Sequence, residues 1–239
     1  MNESTVKLAL GSVVACSTLA IGPARAADFT GTLAATSEYM FRGIETSEGA
    51  AVQGSLTGAL DSGFYAALWG SNIDEELGST ELDAYGGWTG DVGPVTLDVG
   101  AIEYLFLETN EDDAIDNTDY LELYAGVSIV GVAAKVYVTD DFFNTDQDAL
   151  YATASYAFPI TDSLTLTPQV GYSDGAGVDT FIGDSYFDYS LTLAKVLENG
   201  FGASFALINT TLDETEAPAL FTSDDSPKFV VSLTKGFDL

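Results

Sequence analysis

The chain has 239 residues, with 37 Asp and Glu against 7 Lys and Arg, a formal net charge of −30 and no histidine. So large an acidic excess makes nucleic acid and acidic lipid surfaces poor partners, because both are bound through Lys and Arg. Without histidine the chain lacks the Ser-His and Asp-His arrangements that activate a nucleophile or a water, so no enzyme is expected.

Residues 1–26 read as an export signal. Lys7 precedes an apolar run from Leu8 to Ile21, and the small-residue site Ala24-Arg25-Ala26 follows. Val13-Val14-Ala15-Cys16 offers a second reading as a lipobox leaving a lipidated Cys16, but the apolar stretch continues past Cys16 and favours cleavage after Ala26. Removing 1–26 takes Glu3, Lys7, Arg25 and the single cysteine away. Residues 27–239 then carry five basic residues (Arg42, Lys135, Lys195, Lys228, Lys235) against 36 acidic ones. With neither His nor Cys there is no ordinary zinc or copper site, and no cofactor is expected.

From there the pattern alternates. Val132, Ala134, Val136 and Val138 oppose Ala133, Lys135, Tyr137 and Thr139; Phe187, Tyr189, Leu191 and Leu193 oppose Asp188, Ser190 and Thr192; Phe229, Val231 and Leu233 repeat the pattern near the end. The spacing predicts strands at 29–41, 50–60, 63–72, 81–90, 94–106, 119–130, 132–139, 149–158, 164–173, 186–196, 200–211 and 228–238. Connectors alternate between short turns rich in Gly, Pro, Asp and Asn and long segments at 42–49, 73–80, 107–118, 140–148, 174–185 and 212–227. No apolar run approaches the ~20 residues of a spanning helix. The expected fold is therefore all-β, a transmembrane antiparallel up-and-down β-barrel of about 12 strands occupying 27–239, with both termini on the short-turn, periplasmic side.

Acids gather in the long connectors, among them Glu108, Glu111, Asp112, Asp113 and Asp116, then Asp140, Asp141, Asp146 and Asp148, then Asp213, Glu214, Glu216, Asp224 and Asp225. They read as divalent-cation ligands or as solvated loops. The Asp-x-Asp-x-Asp-Gly spacing of a calcium loop is missing, so whether a metal binds stays open. Glu81, Asp83, Tyr85, Asp98, Glu122, Tyr124, Lys135, Tyr137, Gln169 and Asp188 fall on the lumen side of their strands. Arg42, at the upper end of the first predicted strand, is expected to pair with Glu38, Glu81 or Asp83 and close the barrel seam, or else to contact a solute carboxylate. Trp69, Trp88, Tyr104 and Phe106 read as interface aromatics or packing.

Ser37-Glu38-Tyr39-Met40-Phe41-Arg42-Gly43-Ile44, Ala51-Val52-Gln53-Gly54, Trp69-Gly70-Ser71-Asn72-Ile73-Asp74 and Glu81-Leu82-Asp83-Ala84-Tyr85-Gly86-Gly87 carry a resemblance to the proteobacterial Gcw-type outer-membrane proteins, labelled TorF-like porins. Tyr120 to Tyr124 and Tyr151 to Pro159 extend it. The resemblance implies an outer-membrane barrel. Glu45-Thr46 stands where related chains tend to have Ser-Gln. The carboxyl end is similar to the assembly signal of such barrels, with Phe237 and Leu239 outward, and implies insertion by the barrel-assembly machinery among lipid and lipopolysaccharide. The expected function is passive passage of small neutral or cationic solutes, because an acidic lumen disfavours anions. The alternative is a non-conducting structural or surface-interaction barrel whose acidic loops bind cations.

Overall fold

The computed structural model describes residues 28–47, 49–75, 77–107, 118–212 and 226–239. The export segment 1–26, its lipobox alternative and the acidic runs at 108–116 and 213–225 lie outside them.

Twelve strands form one antiparallel sheet that closes on itself. In chain order they are β1 (Asp28–Thr36), β2 (Ala51–Ala59), β3 (Phe64–Asn72), β4 (Thr80–Val92), β5 (Val95–Leu107), β6 (Tyr120–Ile129), β7 (Val132–Thr139), β8 (Ala149–Tyr156, resumed over Phe158–Thr161), β9 (Leu164–Asp174), β10 (Tyr186–Val196), β11 (Phe201–Thr210) and β12 (Lys228–Asp238). Every strand pairs with its sequence neighbours. β1 pairs with β12, from Thr30 opposite Asp238 to Thr36 opposite Ser232, and this seam leaves no free edge.

Side-chain alternation gives the wall its two faces. On β10, Phe187, Tyr189, Leu191 and Leu193 are exposed while Tyr186, Asp188, Ser190 and Thr192 are buried. The same split puts Phe29 and Leu33, Val52 and Leu56, Leu121 and Leu123, and Phe229, Val231 and Leu233 outside. An apolar outer surface around the whole sheet is unstable in water and suited to lipid. Small lumen-facing residues let large neighbours lie flat against the wall. Gly87 and Gly100 are examples, since a side chain there would run into the Tyr65 and Tyr124 hydroxyls respectively.

The first predicted strand was too long. β1 stops at Thr36, and the chain then turns into the barrel, where Met40–Phe41 and Ile44–Glu45 form a two-rung hairpin. Its tip is Arg42-Gly43, both at positive φ (50° and 83°). Glycine is needed at the second position on two grounds, backbone conformation and room, because a Cβ would stand 2.7 Å from Asp188 Cβ. Alternation through Tyr39 and Phe41 resembles a strand, but these residues bury against the barrel interior rather than pairing with a neighbour. Two further long connectors also turn inward. A short 3₁₀ turn (Phe142–Asn144) and a short helix (Ala176–Phe181) place Phe142, Phe143, Val178, Phe181 and Ile182 in the barrel mouth, all buried.

Candidate functional site

Acids and aromatics on the upper lumen wall converge on the tip of the first loop. Arg42 Nη2 donates to Glu122 Oε2 of β6 at 2.5 Å, with both side chains almost fully buried. Tyr104 Oη donates to the same Glu122 oxygen at 3.0 Å. The guanidinium carbon lies 4.4 Å from the Tyr151 ring centre, 4.6 Å from Phe41 and 5.4 Å from Tyr137. Tyr151 in turn donates from its hydroxyl to Asp188 Oδ1 at 3.4 Å. Burial is the largest single influence and lowers the guanidinium's proton affinity, but the Glu122 carboxylate and its hydrogen bond, with Tyr104 and Tyr120, together raise it by more, so Arg42 is charged. Arg42 therefore does not pair with Glu38, Glu81 or Asp83, and it closes no seam. It reaches from an inward-folded loop to the sixth strand, which strand alternation could not reveal.

The same loop touches the wall again through Tyr39, whose hydroxyl donates to Glu81 Oε1 at 3.3 Å and whose ring packs on Trp69 at 5.3 Å. Burial and then the Glu81 charge push the Tyr39 phenol well above its ordinary range, keeping it a neutral donor. Glu81 and Asp83 share one face of β4, each 2 % exposed. Lys228 Nζ holds Glu45 at 3.0 Å, at the other side of the loop. Above these contacts the aromatic cluster fills the mouth: Tyr104 stacks on Tyr120, and Phe143 on Phe181 with ring centres 4.0 Å apart. The cavity bounded by Phe41, Glu81, Phe106, Tyr120, Phe143 and Tyr186 has a volume of about 20 Å³, room for water only.

Asp98 and Lys135 are brought together elsewhere, in the short-turn half of the lumen. Lys135 Nζ is 2.7 Å from Asp98 Oδ2 and 4.0 Å above the Tyr124 ring; Tyr65 donates to Asp98 Oδ1 at 2.6 Å, and the Tyr65 and Tyr124 hydroxyls are 2.6 Å apart. Gln169 and Tyr85 are partly buried on the same inner face. Tyr104, Phe106 and Trp69 prove to be interior packing, whereas Trp88 points outward near the turn end, its indole N–H donating to Ser62 O at 3.0 Å. Of the acidic connectors, 140–148 is described: Asp141 Oδ1 accepts the Asp146 N–H at 2.7 Å and shapes a turn. Among the described residues no cluster of three or more carboxylates is arranged to hold a metal ion. Missed from sequence were Phe142, Phe143, Phe181, Tyr120 and Tyr151; their only signal was aromatic density in and beside long connectors.

One expected result follows from the lower pair. Lys135→Met should leave the barrel assembled, because the residue faces the lumen and its partner Asp98 keeps the Tyr65 hydrogen bond. Unchanged heat-modifiable migration on gels checks this, and loss of the folded band would place Lys135 in a structural role.

Solved porins share the architecture. The KdgM porin superposes with a TM-score of 0.54 at 8% identity, covering 87% of this chain and 99% of that one. The NanC porin gives 0.53 at 9% identity, covering 90% and 100%. KdgM in complex with disordered oligogalacturonate gives 0.54 at 7% identity, covering 88% and 99%. Identities this low speak for the fold. No curated protein matches the sequence. A family model described as a bacterial protein of unknown function, Gcw_chp, matches residues 20–237, and the chain, a closed twelve-stranded β-barrel, belongs to that family.

Proposed function

We propose that the protein is an outer-membrane channel for small neutral or cationic solutes, with passage governed by the inward first loop. One observation carries the reading. The upper inner wall presents Glu81, Asp83, Glu122 and Asp188, all buried, and among the described residues Arg42, which the loop itself supplies, is the one cation buried with them. When that loop is displaced, the constriction left behind is acidic throughout its described part, and a ring of carboxylates favours cations and disfavours anions. The membrane setting is supported by the closed sheet and the apolar outer face; cleavage of an export signal, insertion by the barrel-assembly machinery and contact with lipopolysaccharide belong to the same proposal.

The packed mouth favours a second reading, a non-conducting structural barrel, because twenty buried apolar residues form one cluster across the upper lumen. Liposome swelling separates the two. Proteoliposomes in an iso-osmotic pentose should swell faster than the same vesicles in gluconate, which is similar in size and anionic. Faster entry of gluconate would overturn the charge argument. No swelling in either solute, for wild type and for a loop-release variant alike, would leave the structural barrel.

A further inference from the structure

We propose that the pocket occupied by Arg42 is a binding site for an organic cation, a guanidinium or alkylammonium solute, and that Arg42 is its tethered occupant. The inference deepens the channel reading above and rests on it for the identity of the solute as something that traverses the lumen. The pocket walls belong to the barrel and not to the loop: Glu122 and Tyr104 on β6 and β5, Tyr137 on β7, Tyr151 on β8 and Asp188 on β10. Together they offer a buried carboxylate with an oriented tyrosine hydroxyl on it, and two aromatic ring faces within 5.4 Å of the guanidinium carbon. Rings plus a carboxylate form the surroundings in which organic cations are held in place of water.

One further observation points outward from the chain to a ligand. Of the buried carboxylates on the wall Arg42 engages Glu122, while Asp188 Oδ2, on a side chain 2 % exposed, has no hydrogen-bond partner among the described residues, although a buried carboxylate oxygen is costly to leave unpaired. Arg42 stands at the hairpin tip in a left-handed backbone conformation, φ 50°, which aims its side chain from the loop into walls supplied by other strands. A bare metal ion is a poorer match, since the described carboxylates do not converge as a metal shell and two of the walls are rings.

The test uses agmatine, a guanidinium with a terminal ammonium and no carboxylate, and butylurea, the neutral analogue of its butylguanidine part. Calorimetry on folded Arg42→Ala protein in detergent should show saturable agmatine binding at least tenfold tighter than to wild type, no comparable binding of butylurea, and loss of the agmatine signal in Arg42→Ala/Glu122→Gln. If Arg42→Ala folds poorly, agmatine present during refolding should restore the heat-modifiable band and butylurea should not. Agmatine binding no better than wild type, equal binding of butylurea, or a refolding yield that agmatine leaves unchanged would each overturn the site. Channel and site fail separately. Solute flux without agmatine binding removes the site and keeps the channel; agmatine binding without flux keeps the site on a barrel that does not conduct.

Discussion

In Glu122→Ala the first loop should leave the lumen while the barrel stays folded. Removing the carboxylate strands the Arg42 guanidinium in a buried setting, and breaking a buried pair on one side costs about 3–5 kcal/mol. The loop's other polar side-chain ties are each weaker: the Tyr39 to Glu81 hydrogen bond contributes about 1.5–3 kcal/mol, and the partly exposed Lys228–Glu45 pair about 0–1. Release of the loop relieves the cost and keeps the closed sheet, which unfolding would give up. Trp69 reports the outcome, because Tyr39 packs against its ring. In a Trp88→Phe background, so that Trp69 is the remaining tryptophan, Glu122→Ala should shift emission to the red with the heat-modifiable band retained. An unshifted spectrum would mean that the Arg42–Glu122 pair does not hold the loop. Gly43→Ala should act in the same direction with both charges intact, since the tip requires positive φ and the space beside Asp188.

Leu191→Arg should block assembly. Leu191 is the middle residue of β10 and is 44% exposed on the outer face, between Ser190 at 7% and Thr192 at 1%. A basic side chain at the bilayer midplane of a barrel costs about 2–4 kcal/mol. Ser190→Ala, one position away, should be neutral, because the Ser190 hydroxyl is buried without a hydrogen-bond partner among the described residues, so removing it loses none of their bonds. Folded bands on unheated gels distinguish the two variants. Tolerance of Leu191→Arg together with failure of Ser190→Ala would reverse the inside and outside of the wall.

The wall was legible because lipid outside and a packed or polar interior inside impose a period of two on every strand. Phe187 to Leu193 show that alternation in sequence and keep it in space. The interior was not. Tyr39, Phe41 and Arg42 continue the alternation of β1, and only the Arg42-Gly43 tip turns them away from the sheet; a lone Gly after a strand carries no mark of whether the loop goes out or in. Arg42's partner lies 80 residues away on β6, chosen by loop geometry rather than by spacing. Phe142, Phe143 and Phe181 sit in connectors whose acidic neighbours suggested solvent, yet the rings pack together inside the mouth while Asp141 shapes the turn outside. Glu81 and Asp83 on β4 and Asp188 on β10 could be placed on a face from the pattern, but not with the aromatic residues that make that face a pocket.

The most direct test of a lumen latched by its own first loop is single-channel recording in planar bilayers under a potassium chloride gradient, with wild type and Glu122→Ala side by side. Wild type should give rare, small openings; Glu122→Ala should give frequent, larger steps whose reversal potential shows preference for potassium. Large continuous conductance in wild type that Glu122→Ala leaves unchanged, or steps that prefer chloride, would contradict it.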